Sequence, residues 1–422
     1  MEVSQTFIAN VAILNKLLAK ETWYNTFFSR FSGPVGKITD DNGNVKYEPS
    51  GKPIEVLNDF ISEGRDNMLI PFLKDLTGAP VFGDTVLKGT GEELVMNWMR
   101  AYVNQYRKAV MKRSGSMSEQ RAKIYKLFEA AKPQLARWFA KYENQSIFRA
   151  FYEGVSPNLS AGTDDDGLGV SLRLNPNWFY CAHDTTGVLT EIGTAGKTKT
   201  IAQMDDAENN QKAFTAAMLQ NLRIKCMTLR IPQIETKGGN SFWAMIVHPS
   251  QMKALQADSQ FYGAQREAFS GKMLGLPELA GAQGYYAGFA IYEDIVGIRQ
   301  WDDTAAEGQE LFGATTATML APDASSPGST NYNAIVFGNS AIGRAVARDA
   351  HFTSEVDDHE NTHEIGGAII NGYGRNDFFT EDTAGVSSGG GSSDAFSKGN
   401  STVKSGSAIS ATNQSSLIVM TT

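Results

Sequence analysis

Residues 242–301 read FWAMIVHPSQMKALQADSQFYGAQREAFSGKMLGLPELAGAQGYYAGFAIYEDIVGIRQW. The opening FWAMIVHP (242–249) is an apolar run closed by Pro249, which has no N–H to continue a ladder; it predicts a buried strand. A helix holding Gln251 to Leu255 follows. Asp258 and Ser259 then lead into an aromatic-bearing helix around Phe261, which Gly275-Leu276-Pro277 breaks. YYAGFAIYEDIVGI (285–298) is strand-like again. Strand, helix, helix and strand thus follow one another within sixty residues.

The same alternation extends outward. NAIVFG (333–338) is a further strand, and NSAIGRAVARDA (339–350) after it has helical spacing. Upstream, NQKAFTAAMLQNLRIK (210–225) is helical among β-like runs. Residues 116–154 form the clearest helix. Ser116-x-x-Glu119 is a capping box, and Ile124, Leu127, Phe128, Ala131, Leu135, Trp138, Phe139 and Tyr142 recur at helical spacing. Pro133 inside this pattern predicts a kink or the start of a second helix.

Residues 7–31 place Phe7, Val11, Leu14, Leu17 and Leu18 on one helical face, with Trp23, Tyr24, Phe27 and Phe28 behind them. That pattern suits a core helix or an arm lying on a neighbouring subunit. Asn42-Gly43, between two β-like pieces, marks a hairpin or loop. Residues 69–94, LIPFLKDLTGAPVFGDTVLKGTGEEL, alternate short apolar pieces with Gly, Pro and Asp, as an extended two-stranded excursion does. Residues 383–416 are rich in Gly, Ser and Thr and read as loosely packed. The LIVM that follows (417–420) has the composition of a docking strand.

The 422 residues are 41% hydrophobic, enough for a sizeable core, and the 41 glycines favour turns and strands over a helical bundle. Net charge is −8, against the basic balance of a generic nucleic-acid-binding enzyme. The charge is uneven: residues 100–149 hold twelve Lys or Arg and three acids, a surplus of +9, so the rest carries −17. The basic face of the long helix is read either as solvated or as a contact surface. Cys181 and Cys226 form no disulfide framework and no metal spacing, which fits a reducing cytosol. No signal peptide or membrane-length apolar run stands out, so the chain is expected to be made and to work in cytoplasm.

Catalytic motifs fare poorly. HENTH (359–363) matches the zinc-protease pattern H-E-x-x-H, whose two histidines must project from one face of a buried helix. Its flanks here are the polar EVDD and the glycine-bearing EIGGAIING, and Glu381, a possible third ligand, lies near the Gly/Ser-rich segment. The competing reading is an exposed polar loop before a strand. Gly196-Lys197-Thr198 lacks the earlier glycine of a phosphate loop, GNSAIG (338–343) has the wrong spacing for a nucleophile elbow, and the Asp164–Asp166 run reads as a solvated turn.

The 242–301 stretch resembles the major capsid proteins of tailed bacteriophages, in particular their N4-like branch. The residues that carry the likeness are His248-Pro249, Gln251, Leu255, Asp258, Phe261, Ala264-Gln265 and Ala268, then Gly284, Tyr285, Gly288, Ile291 and Glu293. KDLTGAPVFGDTVLKGTGEEL (74–94), VNQYRKAV (103–110), IVFGNSAIGRAV (335–346) and ENTHEIGGAIINGYGRNDF (360–378) resemble further family segments in the same order. The likeness runs from about Leu57 to Phe379 and leaves the C-terminal extension outside the pattern.

The resemblance implies an α+β, HK97-like capsid fold. Its parts map to an N-terminal arm (1–50), an extended β-hairpin loop region (51–110) and a peripheral domain (111–240) with a spine helix at 116–154. An axial domain (241–345), a return strand of the peripheral domain (346–382) and a Gly/Ser-rich extension (383–422) follow. It implies a non-enzymatic structural protein, without cofactor or metal, that self-assembles as hexamers and pentamers into an icosahedral shell enclosing the phage genome. HENTH then falls in a polar turn entering the return strand. Val81, Phe82, Val86, Leu87, Phe7 and Leu14 are the expected inter-subunit contacts. A scaffolding protein, a portal and decoration proteins are the implied partners. Double-stranded DNA is enclosed without sequence-specific binding, no membrane is involved, and assembly takes place in the host bacterial cytoplasm before the chain resides in the virion. The alternatives are an encapsulin-like compartment shell and the zinc metallopeptidase.

Overall fold

The computed structural model describes residues 26–39, 45–48, 50–57, 67–73, 82, 96–111, 127–156, 175–183, 185–193, 195, 212–235, 241–269, 281–294, 297–298, 332–357, 362–379, 411–413 and 415–421. A short 3-10 helix (Phe27–Phe31) precedes strands β1 (Ser32–Pro34), β2 (Gly36–Thr39), β3 (Val45–Glu48), β4 (Ile54–Leu57), β5 (Asn67–Leu73), β6 (Met96–Tyr102) and β7 (Asn104–Met111). Helix α1 (Leu127–Glu153) leads to β8 (Val155–Ser156), β9 (Trp178–Cys181), β10 (Leu189–Glu191), α2 (Ala216–Thr228), β11 (Ile234–Glu235) and β12 (Ser241–Val247). Helices α3 (Pro249–Ala257) and α4 (Ser259–Phe269) precede β13 (Gly284–Tyr286), β14 (Phe289–Glu293) and β15 (Tyr332–Phe337). The chain closes with β16 (Ile342–Asp357), β17 (Thr362–Arg375), β18 (Asp377–Phe379), β19 (Ala411–Asn413) and β20 (Ser416–Thr421).

Two larger sheets carry the described fold. One has the order β1-β4-β16-β17-β7, with β8 also on β17. Its centre is a long antiparallel ribbon of β16 and β17, with register shifts between Val346 and Arg348 and between Arg348 and His351. Such slips bend and twist a strand. Helix α1 lies on this ribbon through Leu135, Ala136 and Phe139, against Ala350, Ile365 and Ile369. The other sheet runs β10-β9-β20-β15-β12-β14-β13, with β11 on β12.

Both faces of the eight-stranded sheet are covered, which explains why FWAMIV is apolar without interruption. Trp243, Met245 and Val247 share a core with Met218, Leu219 and Leu222 of α2, Met252 and Leu255 of α3 and Phe261 of α4. Phe242, Ala244 and Ile246 share a second core with Ile147, Phe148 and Phe151 of α1 and with Phe28 and Phe31. Each of these fully buried aromatic or aliphatic side chains contributes roughly 1.5–3 kcal/mol.

Several expectations change on this frame. Residues 339–350 were expected to be helical, but Ile342 onward is β16. Its first residues pair with β4 on one side and β17 on the other, and that two-sided pairing outweighs a weak local helical spacing. Helix α1 runs through Pro133 as one element, and 116–126 lie outside the described residues. The helix expected at 210–225 spans Ala216–Thr228, capped by the Thr215 side chain, which accepts from Met218 N. Strands β9, β10 and β11, within the expected 111–240 unit, belong to the eight-stranded sheet, and α2 packs on it. Ser416–Thr421 enters the same sheet, so the LIVM stretch docks as a strand as its composition suggests. Strands β2 and β3 pair antiparallel from Gly36↔Glu48 to Thr39↔Val45, and Asn42-Gly43 between them lie outside the described residues.

Candidate functional site

The residues singled out at 248–293 converge on backbone groups and helix ends. His248 N donates to Gln251 Oε1 (3.0 Å) and Ser250 N donates to His248 Nδ1 (3.2 Å), a reciprocal cap on α3. Gln251 Nε2 also donates to Tyr332 O (3.0 Å) and to Thr421 Oγ1 (2.7 Å), tying α3 to β15 and β20. The His248 ring stacks on Tyr332 at 4.1 Å. Burial holds the His248 pKa below the usual histidine value, and Asp294 partly offsets that.

Asp258 serves two helices at once. Its Oδ2 accepts from Ala216 N at the start of α2, and its Oδ1 accepts from Gln260 N at the start of α4, both at 2.9 Å. Helix N-termini offer unpaired N–H groups and a positive dipole end, so a carboxylate is the fitting residue. Gln265 Nε2 donates to Tyr285 O at 2.9 Å. A side chain at Gly284 would lie 3.0 Å from the Phe261 ring, and Gly288, at φ +90°, faces the Trp243 ring. These residues knit the eight-stranded sheet to its helices.

Of HENTH, Thr362 and His363 are described. His359, Glu360 and Asn361 lie outside the described residues, whereas His363 sits in β17 opposite Val356. A histidine on an extended strand cannot be the fifth residue of a ligating helical face. Among the described residues no group of three His, Cys, Asp or Glu is placed to hold a metal ion. Cys181 and Cys226 are buried and form no disulfide, and burial pushes the Cys226 thiol well up.

The ribbon sheet carries the geometry that matters for the extended excursion. Leu57, the last residue of β4, pairs with Ala345, which pairs with Gly372. Asn104, the first residue of β7, pairs with the adjoining Asn371. Leu57 and Asn104, where the excursion begins and ends, therefore sit at one level of the sheet, three inter-strand spacings or about 14 Å apart, on strands that run in the same direction. Beyond it β5 and β6 pair with each other, from Asn67↔Tyr102 to Leu73↔Met96. Of the expected contacts, Phe82 is 78% exposed. Val81, Val86, Leu87, Phe7 and Leu14 lie outside the described residues.

Helix α1 is pinned to the ribbon by a buried polar cluster. Arg344 Nη2 donates to Glu143 Oε1 at 2.9 Å, and Asn371 Nδ2 donates to the same oxygen at 2.7 Å. Arg344 Nε donates to Tyr373 OH, and Tyr106 OH donates to Asn371 Oδ1. Burial alone would lower the Arg344 pKa, but the Glu143 carboxylate outweighs it and the net shift is upward. Burial raises the Tyr106 and Tyr373 hydroxyls, with Glu143 adding to both. Beside this cluster, Gly367 lets Phe139 and Leu135 approach the ribbon closely. At the N-terminal side, Phe28 and Phe31 are buried, and Arg30 lies over the Phe27 ring (4.5 Å) and the Tyr292 ring (5.3 Å).

Exposed apolar side chains outside the excursion escaped sequence reading: Val110, Val188, Ile224, Met227 and Tyr262. The signal was present for two of them. Ile224 and Met227, three apart on α2, fall away from the face of Met218, Leu219, Leu222 and Cys226.

A long helix on a β ribbon, an excursion with both ends held at one level of the ribbon sheet and an eight-stranded sheet backed by helices define an HK97-like capsid fold. A family model described as phage capsid protein matches residues 15–392, and the chain belongs to that family. Among solved structures, the capsid of Ralstonia phage GP4 is similar at TM-score 0.56 and 15% identity, over 83% of this chain and 87% of that one. The capsid asymmetric unit of cyanophage Pam1 is similar at 0.55 and 16%, over 88% of each chain. The acid-stable capsid of Helicobacter pylori bacteriophage KHP30 is similar at 0.54 and 12%, over 94% of this chain and 91% of that one. Comparison with curated proteins finds no match. The role of the chain is structural: it is a major capsid protein, and copies of it associate into a shell.

Proposed function

We propose that this chain is an N4-like major capsid protein whose hexamers and pentamers close into an icosahedral shell around double-stranded DNA, with no catalytic activity of its own. The observation that carries the reading is the common level of the ribbon sheet at which β4 and β7 hold the two ends of the excursion. A hairpin held at both feet by one rigid sheet projects as a unit. A two-stranded hairpin is marginal alone in water, so it gains order by lying on a neighbour. Val81, Phe82, Val86 and Leu87 are its contact residues, and Phe7 and Leu14 those of the N-terminal arm.

In this reading α1 and the ribbon sheet form the peripheral unit. The eight-stranded sheet with α2–α4 forms the axial unit, drawing in 178–235 and 416–421 as well as 241–337. The +9 surplus of residues 100–149 meets acidic surfaces of adjacent copies, which steers association. Arg107 and Lys108, exposed on β7, belong to that surplus. A net charge of −8 keeps the shell from gripping packaged DNA. Assembly takes place in the host cytoplasm, with a scaffolding protein, a portal and decoration proteins as partners.

Electron microscopy of the chain expressed alone tests the reading. Closed shells are expected without added DNA, fewer of them at high salt. Replacing residues 78–91 with a short Gly/Ser linker should leave a folded subunit that sediments without shells. Shells at normal yield from the shortened chain, or strict dependence on DNA, would overturn the assembly roles of the excursion and the charge. Particles filled with protein rather than DNA in infected cells would favour the encapsulin-like compartment.

A further inference from the structure

The eight-stranded sheet is completed by Ser416–Thr421, more than 70 residues beyond β15 in sequence. Strand β20 runs parallel to β9, from Ile418↔Trp178 to Met420↔Tyr180, and antiparallel to β15, from Tyr332↔Thr421 to Phe337↔Ser416. Among the described residues no other strand joins β9 and β10 to the rest of that sheet. Leu417, Ile418, Val419 and Met420 are all 0% exposed. Leu417 and Val419 enter the core under α2–α4, and Ile418 and Met420 enter the core on the α1 side. One short strand thus closes both cores.

Polar latches hold its ends. Asn413 Oδ1 accepts from Ser415 N and Ser416 N, both at 2.8 Å, a turn that aims the chain into the sheet. Asn177 Nδ2 donates to Ser416 O (3.1 Å) and Asn175 Nδ2 to Ser416 Oγ (3.2 Å). At the far end Gln251 donates to Thr421 Oγ1. Pairing of β18 with β19, Asp377↔Asn413 to Phe379↔Ala411, anchors the strand beside the end of β17 in the same chain.

We propose that the gap between β9 and β15 is a strand-binding slot specific for the chain's own Ser416–Thr421, and that its filling acts as a docking check: a subunit becomes competent to enter the shell only when residues 416–421 have docked. The check rests on the shell reading; the slot does not. Without β20, β9 and β15 each present a row of unpaired N–H and C=O groups, and two cores lie open between them. A chain with 416–421 undocked still contains α1 and the whole β16–β17 ribbon, the parts that could compete for lattice positions. A shell of many copies is spared such defective subunits if closure waits for β20.

The test starts from the full chain carrying a protease site between residues 383 and 408, cleaved after purification. The fragment bearing 411–422 should stay with the body through gel filtration and leave only on unfolding. Refolding of the body, followed by Trp178 fluorescence, should succeed with a synthetic 411–422 peptide and fail with the same peptide carrying Val419→Asp. In cells making both the full chain and a tagged chain ending at Ser410, the tagged chain should appear in shells about tenfold or more below its share of synthesis, the factor that ~1.4 kcal/mol of lost contact gives. A fragment that dissociates and leaves a body with native spectrum and melting would overturn the slot. Tagged chains entering shells in proportion to their synthesis would overturn the check. Full chains that make no shells while the peptide still rescues folding would sink the shell reading, and the check with it, but not the slot.

Discussion

Gly367→Ala probes how closely the long helix lies on the ribbon. A Cβ at 367 would sit 2.5 Å from Phe139 Cε2, 3.0 Å from its Cζ and 3.1 Å from Leu135 Cδ2. Carbon atoms pack best at about 3.5–4.0 Å, so the ring must retreat by about 1 Å. It has little room to do so. Phe139 is fully buried, with Trp138 edge-on at 5.1 Å and Ala350, Ile365 and Ile369 in the same cluster. Forcing a methyl into such a core costs about 1–3 kcal/mol. Replacing glycine in a strand returns about 0.5–1 kcal/mol through a less disordered unfolded chain. A net loss of about 1–2 kcal/mol is expected, read as a lower urea midpoint for dissociated subunits by tryptophan fluorescence. Phe139→Leu should also destabilise by itself, yet make room for the new methyl. The double variant should therefore be more stable than the summed single losses by about 1 kcal/mol. A Gly367→Ala subunit as stable as the parent, or losses that add to within about 0.5 kcal/mol, would refute the close approach.

Glu143→Ala leaves the Arg344 guanidinium buried without its carboxylate and should cost about 3–5 kcal/mol, whereas Glu143→Leu with Arg344→Met should recover most of it; equal urea midpoints for the two would count against a buried pair. The His248 pKa lies below its ordinary 6.5, so the unfolded chain binds that proton more tightly. Its stabilisation is present above pH 6.5 and lost as pH falls toward the lowered value. His248→Asn, which keeps a cap acceptor, should flatten that acid limb of the melting curve, and an unchanged slope would assign it to other groups. Glu55 has the opposite sign: burial raises its pKa above 4.5, against the Ser340 hydrogen bond, so its contribution is present below pH 4.5 and lost as pH rises. Glu55→Gln should therefore raise the melting temperature at neutral pH, and a fall there would contradict the assignment. Elemental analysis should find no stoichiometric zinc, and Glu360→Gln should assemble like the parent; one tightly held zinc per chain would revive the metallopeptidase reading.

The amino-acid sequence by itself determined the devices that act over a few residues. The apolar FWAMIV closed by Pro249 is a strand, the His248–Gln251 cap starts a helix, and the β-like pieces on either side of Asn42-Gly43 pair with each other. Asp258 was legible as part of a motif, but its second task, at the start of α2, was not. Only the tertiary structure decided what depends on distant partners. Residues 342–345 became strand because β4 and β17 flank them, and the strand continues along β17. Six residues at the end of the chain became a central strand because β9 and β15 leave a gap of that length. Glu143 found its cation 201 residues away and its amide donor 228 away. Local propensity and capping are written in short windows of sequence, where backbone geometry alone decides them. Edge pairing, burial of charge and close approach at a glycine exist only once remote segments meet, and no window of sequence contains both partners.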